Sequence, residues 1–185
     1  TIYGEEGDDM ILADQGIITQ TVGTIRITTT GNVETILSAV DDQGGDDVVH
    51  GGEGNDRILG GFGEDTIHGE EGNNLIFGDN GFIDYTLDGD LSTADLIVTT
   101  SPELGGMDTI TAGSLHDIIL GGNGADEINA GDGKNVVIGD NGKITAADGL
   151  FTTIQSTDPD LGAGDTITTG VDADIVLGGI GDDLI

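Results

Sequence analysis

Aspartate recurs every nine residues along most of this chain. The period is visible in GGEGNDRIL (51–59), GGFGEDTIH (60–68) and GEEGNNLIF (69–77), where Asp or Asn occupies the sixth position. Carboxylate oxygens next to glycine-rich turns, whose backbone carbonyl groups are exposed, are the ligands that calcium prefers, because calcium accepts about six to eight oxygens in flexible geometry. Magnesium demands tighter geometry. The spacing therefore predicts a series of calcium sites.

The nine-residue period occurs in twelve units, with ten aspartates and two asparagines at the sixth position. These predicted metal ligands are Asp9, Asp47, Asp56, Asp65, Asn74, Asp108, Asp117, Asp126, Asn135, Asp165, Asp174 and Asp183. If residues 18 apart stack at the strand spacing of ~4.8 Å, Asp56 lies over Asn74 and Asp108 lies over Asp126. Two carboxylates about 5 Å apart repel by about 3 kcal/mol at an effective dielectric constant of ~20. A divalent cation between them would reverse the sign of that interaction.

Three more aspartates stand in variant units that follow the regular ones. Asp14, Asp79 and Asp140 are the second residues of ADQGII, GDNGFI and GDNGKI, which follow the units of Asp9, Asn74 and Asn135. We expect these three aspartates to cap the last calcium site of each block, where the regular ligand is asparagine in two cases. The alternative is that they only form turns.

The other fixed positions of the unit indicate how the aspartates are held. The fourth residue is glycine in nine units, which supplies the positive φ of a tight turn. The eighth residue is Ile or Val in all twelve, as a short strand with an inward-pointing side chain requires. Each unit is thus a turn followed by a strand, and two units make one coil if successive strands alternate between two sheets. This predicts an all-β fold, a parallel β-solenoid, and chirality rules favour a right-handed one.

The units are grouped into four blocks within one continuous array over residues 1–185. The blocks cover residues 1–12, 42–77, 103–138 and 160–185. The inserts between them cover residues 13–41, 78–102 and 139–159 and alternate Thr with apolar residues around turn signals. They are predicted to be β-hairpins, with strands in TIRITTT (24–30), ADLIVTTS (94–101) and LFTTIQS (150–156). We expect the hairpins to extend the sheet sideways or to project from the solenoid.

The pattern GGxGxDxUx, in which U is a large apolar residue, resembles the calcium-binding nonapeptide of the RTX (repeats-in-toxin) proteins. The resemblance covers 110 of the 185 residues. It implies a calcium β-roll in which the Asp of each unit supplies a side-chain ligand and turn carbonyls supply the rest. The unit departs from the pattern at Gln43, Leu104, Leu115, Leu161 and Asp172, where we expect weaker or empty sites. The alternative is that the Asp-Gly stretches are plain Asx turns.

The composition of the chain restricts the classes of partner that it can bind. The chain has 36 acidic residues against 4 Lys and Arg, a formal net charge of −32 and no Cys. Phosphate repulsion excludes nucleic acid as a partner, and no apolar run approaches the roughly 20 residues of a membrane span. High charge with few aromatic residues predicts a chain that is disordered without calcium and folds when it binds calcium.

Histidine offers a second kind of chemistry. His50 and His68 occupy the ninth positions of units two apart and should stack on one edge of the solenoid. A transition-metal site there is one interpretation, and a solvated pair is the other. No nucleophile stands beside a base in the sequence, so we expect no enzymatic activity.

These observations predict a calcium-binding, calcium-dependent structural segment of a secreted protein. The larger protein would be an adhesin, fibre or surface-layer protein of the cell surface or extracellular matrix, and the segment would contact other copies of itself or neighbouring modules end to end. The chain starts and stops within repeat units without a polar cap, which indicates a longer array. The alternative is an RTX secretion and folding accessory module of an exported enzyme or toxin.

Overall fold

The computed structural model describes residues 1–21, 33–39 and 44–185 and contains only β-structure in this part of the chain. The strands are β1 (Ile2–Glu6), β2 (Met10–Leu12), β3 (Gly16–Gln20), β4 (Val33–Ser38), β5 (Val48–Glu53), β6 (Arg57–Leu59), β7 (Thr66–Glu71), β8 (Leu75–Phe77), β9 (Gly81–Asp84), β10 (Leu96–Thr99), β11 (Thr109–Thr111), β12 (Ile118–Leu120), β13 (Glu127–Gly131), β14 (Val136–Ile138), β15 (Gly142–Ala147), β16 (Leu150–Ser156), β17 (Thr166–Thr169) and β18 (Ile175–Leu177). They form three six-stranded sheets. None of the described segments is a helix with the length and hydropathy needed to cross a membrane.

The repeat units build two parallel sheets. The first parallel sheet has the order β1-β5-β7-β11-β13-β17 and the second has the order β2-β6-β8-β12-β14-β18. Successive units alternate between the two sheets, so that Val49 pairs with Ile67 and Ile58 with Ile76. The prediction that residues 18 apart stack is confirmed. This arrangement is consistent with a β-roll, whereas its handedness stays a prediction.

The same register continues across the inserts. Ile67 pairs with Ile110 in the first parallel sheet, and Ile76 pairs with Ile119 in the second, although 43 residues separate the partners. The chain therefore leaves the two sheets after one block and returns to the next position in each.

The core between the two parallel sheets consists of the residues at the eighth position of the units. Ten of them are buried, namely Ile11, Val49, Ile58, Ile67, Ile76, Ile110, Ile119, Ile128, Val137 and Ile167. Val176 is partly buried and packs against this cluster, whereas Ile185 is 69% exposed. The expectation that the eighth side chain points inward holds for every unit except the last described one.

The inserts form a third, antiparallel sheet, here called the hairpin sheet, with the order β16-β15-β10-β9-β4-β3. Each insert contributes one antiparallel pair, as predicted, and LFTTIQS (150–156) matches β16 residue for residue. The interpretation of 24–30 as a strand lies outside the described residues. Within the hairpin sheet, β4 pairs with β9 and β10 pairs with β15, so neighbouring inserts contact each other directly.

The hairpin sheet packs face to face on the second parallel sheet. Phe77, Leu120 and Ile138 of the parallel sheet share a buried cluster with Ile83 and Ile144 of the hairpin sheet. The expectation that the hairpins extend the parallel sheets sideways or project from them is therefore wrong. The reason is that the second parallel sheet carries large apolar side chains on both faces, and parallel strands of that composition need cover on both.

Candidate metal-binding turns

The residues at the sixth position of the units lie in two rows, one ahead of the strands of each parallel sheet. We call them the first row and the second row. The first row contains Asp47, Asp65, Asp108, Asp126, Asp165 and Asp183, and the second row contains Asp9, Asp56, Asn74, Asp117, Asn135 and Asp174. All twelve predicted ligands are thus brought into two lines.

Hydrogen bonds join each row into a ladder. The backbone N–H of each residue donates to the Oδ1 atom of the next residue in its row, over 2.7–3.0 Å in the first row. The distances are 2.7–2.9 Å in the second row. Asp and Asn both have an Oδ1 acceptor, so the ladder explains why only these two types occupy the sixth position.

The middle of each row is buried. Asp56, Asp65, Asp108, Asp117 and Asp126 are all at most 2% exposed. Burying a carboxylate is unfavourable unless hydrogen bonds or an opposite charge compensate it. Among the described residues, no Lys or Arg forms an ion pair with a carboxylate.

The second carboxylate oxygen is left without a partner. The Oδ2 atoms of seven aspartates are buried and accept no hydrogen bond, namely those of Asp9, Asp56, Asp65, Asp108, Asp117, Asp126 and Asp165. A buried acceptor that lacks a donor costs about 1–3 kcal/mol, and more when it is charged. Repetition of the same orphaned atom in seven turns indicates that a positively charged group belongs beside it.

Backbone carbonyl oxygens face the same spaces. At the first position of one unit, an added Cβ on Gly60 would lie 2.5 Å from Asp65 Oδ2 and 2.1 Å from the Gly78 carbonyl oxygen. Only glycine fits there, and what surrounds it is a set of acceptor oxygens from side chain and backbone. Acceptor oxygens of both kinds suit a hard oxygen-seeking cation such as calcium.

Positive backbone φ at the fourth position is confirmed in the same unit, since Gly63 has φ 139°. Asp172, which replaces this glycine in a later unit, has φ 90°. An L-residue with that φ is strained. The unit of Asp172 therefore keeps a positive φ without its glycine, whereas Leu115, another departure at the fourth position, does not have a positive φ.

Asp14, Asp79 and Asp140 reach into the turns of the first row. Asp79 accepts hydrogen bonds from the N–H groups of Gly106, at 3.1 Å, and of Asn123, whereas Asp140 accepts from Ala163 and Ile180. Asp14 accepts from the Phe62 N–H at 2.7 Å.

The expectation that these aspartates cap the sites of the preceding units needs correction. The sixth residues of those units are Asp9, Asn74 and Asn135, which belong to the second row. Asp14, Asp79 and Asp140 instead contact turns of the first row. The physical reason is the alternation of units. A variant unit that follows a second-row unit starts on the side of the first row.

The electrostatic environment is most unfavourable for charge near the centre of the first row. Burial raises the pKa of Asp79 to about 9. Burial, followed by the charges of Asp79 and Asp126, raises the pKa of Asp108 to about 10. Burial also raises the pKa of Asp126 and of Asp165 to about 7. In the second row, burial raises the pKa of Asp117 to about 6.

Side chains alone do not make a metal site. In residues 1–21, 33–39 and 44–185, no group of three or more His, Asp or Glu side chains is placed to hold a metal ion. A bound cation therefore needs backbone carbonyl groups as ligands, which is the ligand set that the resemblance to RTX repeats implies.

The histidine pair is stacked as predicted. The ring centroids of His50 and His68 are 4.8 Å apart, and Tyr3 stacks on the other face of His50 at 4.8 Å. His50 Nδ1 lies 2.9 Å from Glu70 Oε1. These rings form a ladder along the outer face of the first parallel sheet.

Comparison with known proteins returns one family. The family model of the RTX calcium-binding nonapeptide repeat matches in four copies, at residues 1–17, 50–82, 111–143 and 162–185. These segments cover more than half of the chain and contain ten of the twelve row residues, all except Asp47 and Asp108. No curated protein and no solved structure gives a significant match.

Proposed function

Because this chain belongs to the RTX calcium-binding nonapeptide repeat family, we propose that its two rows of turns hold several calcium ions and that the chain needs them to fold. The residues that would hold the ions are the twelve members of the two rows, and Asp14, Asp79 and Asp140 would close the turns of the first row from outside. When bound, calcium supplies positive charge to oxygens that have no other partner.

The observation that carries this proposal is the set of seven buried Oδ2 atoms without a donor. Each belongs to an aspartate of one of the two rows. In six of the seven, the Oδ1 atom accepts the N–H of the preceding residue in the row, and the seventh, Asp9, is the first residue of its row. A plain Asx turn, in which the side-chain oxygen accepts an N–H from two residues further along the chain, does not explain the ladder hydrogen bonds, which join residues 18 to 47 apart. Nor does it explain why the second oxygen is buried with nothing to neutralise it.

Calcium also explains how such an acidic chain becomes compact. A formal charge of −32 opposes folding through self-repulsion, and the raised pKa of the buried aspartates reports the same cost locally. Binding of an ion to the folded form alone stabilises that form by mass action. The folded form would then be populated where calcium is abundant, outside cells, and scarce where calcium is low.

In this proposal the complete fold is a right-handed parallel β-solenoid with the hairpin sheet on one side. Its role is structural rather than enzymatic, as a rigid segment of a secreted protein of the cell surface or extracellular matrix. The continuous register of the two parallel sheets across the inserts supports a role as a stiff spacer. Direct contacts between neighbouring inserts support the same role.

A second candidate is a secretion and folding accessory module of an exported enzyme or toxin. The family match favours this role equally, because it concerns the repeats and not the protein that carries them. The full-length gene separates the two candidates. Many further copies of the repeat block support the structural role, and a catalytic domain in the same chain supports the accessory role.

The experiment that tests the calcium proposal is far-ultraviolet circular dichroism of this chain during a calcium titration, with magnesium as the control. The expected result is a cooperative transition from coil to β-structure with calcium and little change with magnesium. A β-rich spectrum in calcium-depleted buffer that calcium leaves unchanged would refute coupling between binding and folding.

A further inference from the structure

A cavity of about 240 Å³ lies between the second parallel sheet and the hairpin sheet. Two regular units contribute Arg57 and Asn73, a third contributes His116, and two inserts contribute Tyr85, Thr93 and Phe151. The cavity therefore exists only because the inserts pack over the repeat units. It uses none of the Oδ2 atoms that carry the calcium proposal.

The charge of this cavity is opposite to that of the chain. Acidic residues number 36 of 185 in the sequence, yet no Asp or Glu is among the residues that line the cavity. The cleft beside His50, by comparison, is lined by four glutamates, Glu5, Glu6, Glu53 and Glu70. A cavity with a guanidinium group and no carboxylate is suited to an anion.

Arg57 is the group that would receive the anion. Its Nε atom donates to the Tyr85 hydroxyl at 3.3 Å, and its Nη1 atom donates to the Asn55 carbonyl oxygen. Within the described segments, no carboxylate lies within ion-pair distance of this guanidinium. The planar guanidinium presents five N–H donors, and paired N–H donors bind a carboxylate in bidentate fashion. The two bonds inside the protein fix the side chain and leave donors for a ligand.

The other polar groups of the cavity are also available as donors. The Tyr85 hydroxyl accepts from Arg57, so its own hydrogen is free to be donated. The Nδ1 atom of His116 accepts the Lys134 N–H at 2.9 Å, which puts the proton of the neutral ring on Nε2. The Thr93 hydroxyl is buried without a hydrogen-bond partner. A donor-rich site of this kind requires a ligand that carries several oxygen acceptors.

Size and shape narrow the ligand further. The volume is below the roughly 300–1,000 Å³ of sites for drug-sized molecules, which limits the occupant to about one ring. Phe151 is 47% exposed and lies at the cavity, where it offers a flat apolar surface to a ring.

We propose that this cavity binds the carboxylate-bearing ring of an acidic sugar, a uronic acid, either free or as a residue of a polysaccharide. The carboxylate pairs with Arg57, the hydroxyl groups accept from Thr93 and His116, and the apolar face of the ring lies on Phe151.

The experiment is a titration of the calcium-saturated chain with sodium glucuronate, followed by two-dimensional amide NMR and by calorimetry. Glucose serves as a matched ligand that lacks the carboxylate. The expected result is saturable shifts at the cavity residues with glucuronate and at least tenfold weaker binding of glucose. Absence of shifts at those residues, or equal binding of the two sugars, would overturn the proposal.

Two variants and one control connect the binding to the cavity. Arg57→Gln is expected to weaken glucuronate binding at least tenfold. Phe151→Ala, at a side chain that is 47% exposed, is expected to weaken glucuronate and glucose alike. Lys143→Gln removes the same charge outside the cavity and is expected to bind as the unaltered chain does. If Arg57→Gln and Phe151→Ala both bind glucuronate normally, the cavity is not the site.

A short oligogalacturonide distinguishes the two sources of the ligand. Binding of the oligomer at the same residues, clearly tighter than that of the single sugar, assigns the site to a polysaccharide. Equal binding of both assigns it to the free sugar. Either result supports recognition of a uronic acid by Arg57.

Discussion

Asp65 and Asp108 are neighbours in the first row although 43 residues separate them in sequence. The Asp65 N–H donates to Asp108 Oδ1 at 2.8 Å, a distance equal to that between Asp108 and Asp126, which are 18 apart. The second row shows the same relationship between Asn74 and Asp117, at 2.7 Å. Both ladders therefore continue past the insert over residues 78–102, with hydrogen-bond distances of 2.7–2.9 Å before, across and after it.

Replacing Asp108 by Asn should weaken calcium binding while leaving the ladder hydrogen bond intact. Asp108→Asn keeps the Oδ1 acceptor but changes the orphaned Oδ2 atom into an amide nitrogen that cannot ligate a cation. We expect calcium affinity to fall by about tenfold, or ~1.4 kcal/mol. We also expect the calcium-free fold to become more stable, since the substitution removes a carboxyl whose pKa burial raises to about 10. Calorimetry and thermal melts with and without calcium measure both effects.

The control for Asp108→Asn is Asp90→Asn, which removes the same charge from an exposed loop of the second insert. This control is expected to leave calcium affinity unchanged. Equal calcium affinity of Asp108→Asn and of the unaltered chain would mean that Oδ2 is not a ligand.

Asp79 should stabilise the turns of the first row from outside the regular units. Asp79→Ala removes the acceptor for the N–H groups of Gly106 and Asn123, both of which would then be unsatisfied. We expect weaker calcium binding and a Tm in calcium lower by several degrees, since about 1 kcal/mol shifts the Tm of a chain of this size by roughly 2–4 °C. Differential scanning calorimetry in excess calcium measures the shift.

Glu127→Ala is the matched control for Asp79→Ala, because it removes an exposed carboxylate from β13 of the first parallel sheet. It is expected to change the Tm little. If Asp79→Ala melts at the same temperature as Glu127→Ala and binds calcium equally, Asp79 is only a turn former.

Acid should stabilise the calcium-free fold. In the folded chain, burial raises the pKa of Asp65 to about 6 and the pKa of Asp126 and of Asp165 to about 7, from an ordinary value of 3.8. A raised carboxyl pKa means that the folded state holds the proton more tightly than the unfolded state, so stability increases as pH falls from about 7 to about 4. Circular dichroism in calcium-depleted buffer across this range should show β-structure increasing toward low pH.

The opposite pH dependence is expected in the presence of calcium, since protons compete with the ion for the same carboxylates. Calcium affinity should rise between pH 5 and pH 8. A calcium-free chain whose β-structure instead increases toward high pH would show that the buried aspartates are not protonated on folding.

Phe77 should contribute strongly to the stability of the packing between the hairpin sheet and the second parallel sheet. Its side chain is fully buried between the two sheets. Truncation of a buried Phe to Ala costs about 3–5 kcal/mol, so Phe77→Ala is expected to lower the unfolding free energy in calcium by an amount in that range. Leu87→Ala, at a side chain that is 67% exposed, is the control. Urea titrations in calcium compare the two variants, and equal midpoints would show that the contact contributes nothing.

Most of the fold could be predicted from the sequence because the repeat has a short and strict period. The eighth-position residues predicted the core, and the nine-residue spacing predicted both the stacking and the alternation between sheets. The family match agrees with the nonapeptide pattern that the units display.

The positions that the sequence did not reveal depend on contacts between distant segments. Nothing in GDNGFI shows that Asp79 contacts Asn123, because this requires knowing on which side the variant unit starts. The apolar residues at the seventh and ninth positions, such as Leu75 and Phe77, were the available signal that a further sheet covers the second parallel sheet. The cavity around Arg57 combines five separate segments, and no spacing along the chain brings them together.

The number of residues between ladder partners on the two sides of an insert differs from one insert to the next. The sequence separation is 47 residues between Asp9 and Asp56, 43 between Asn74 and Asp117, and 39 between Asn135 and Asp174, yet each pair makes the same ladder hydrogen bond. The scaffold thus tolerates loops of different length at one recurring point of its edge. Such points are permissive sites, where evolution can exchange surface features, or a protein engineer can graft foreign peptides, without altering the frame that carries them.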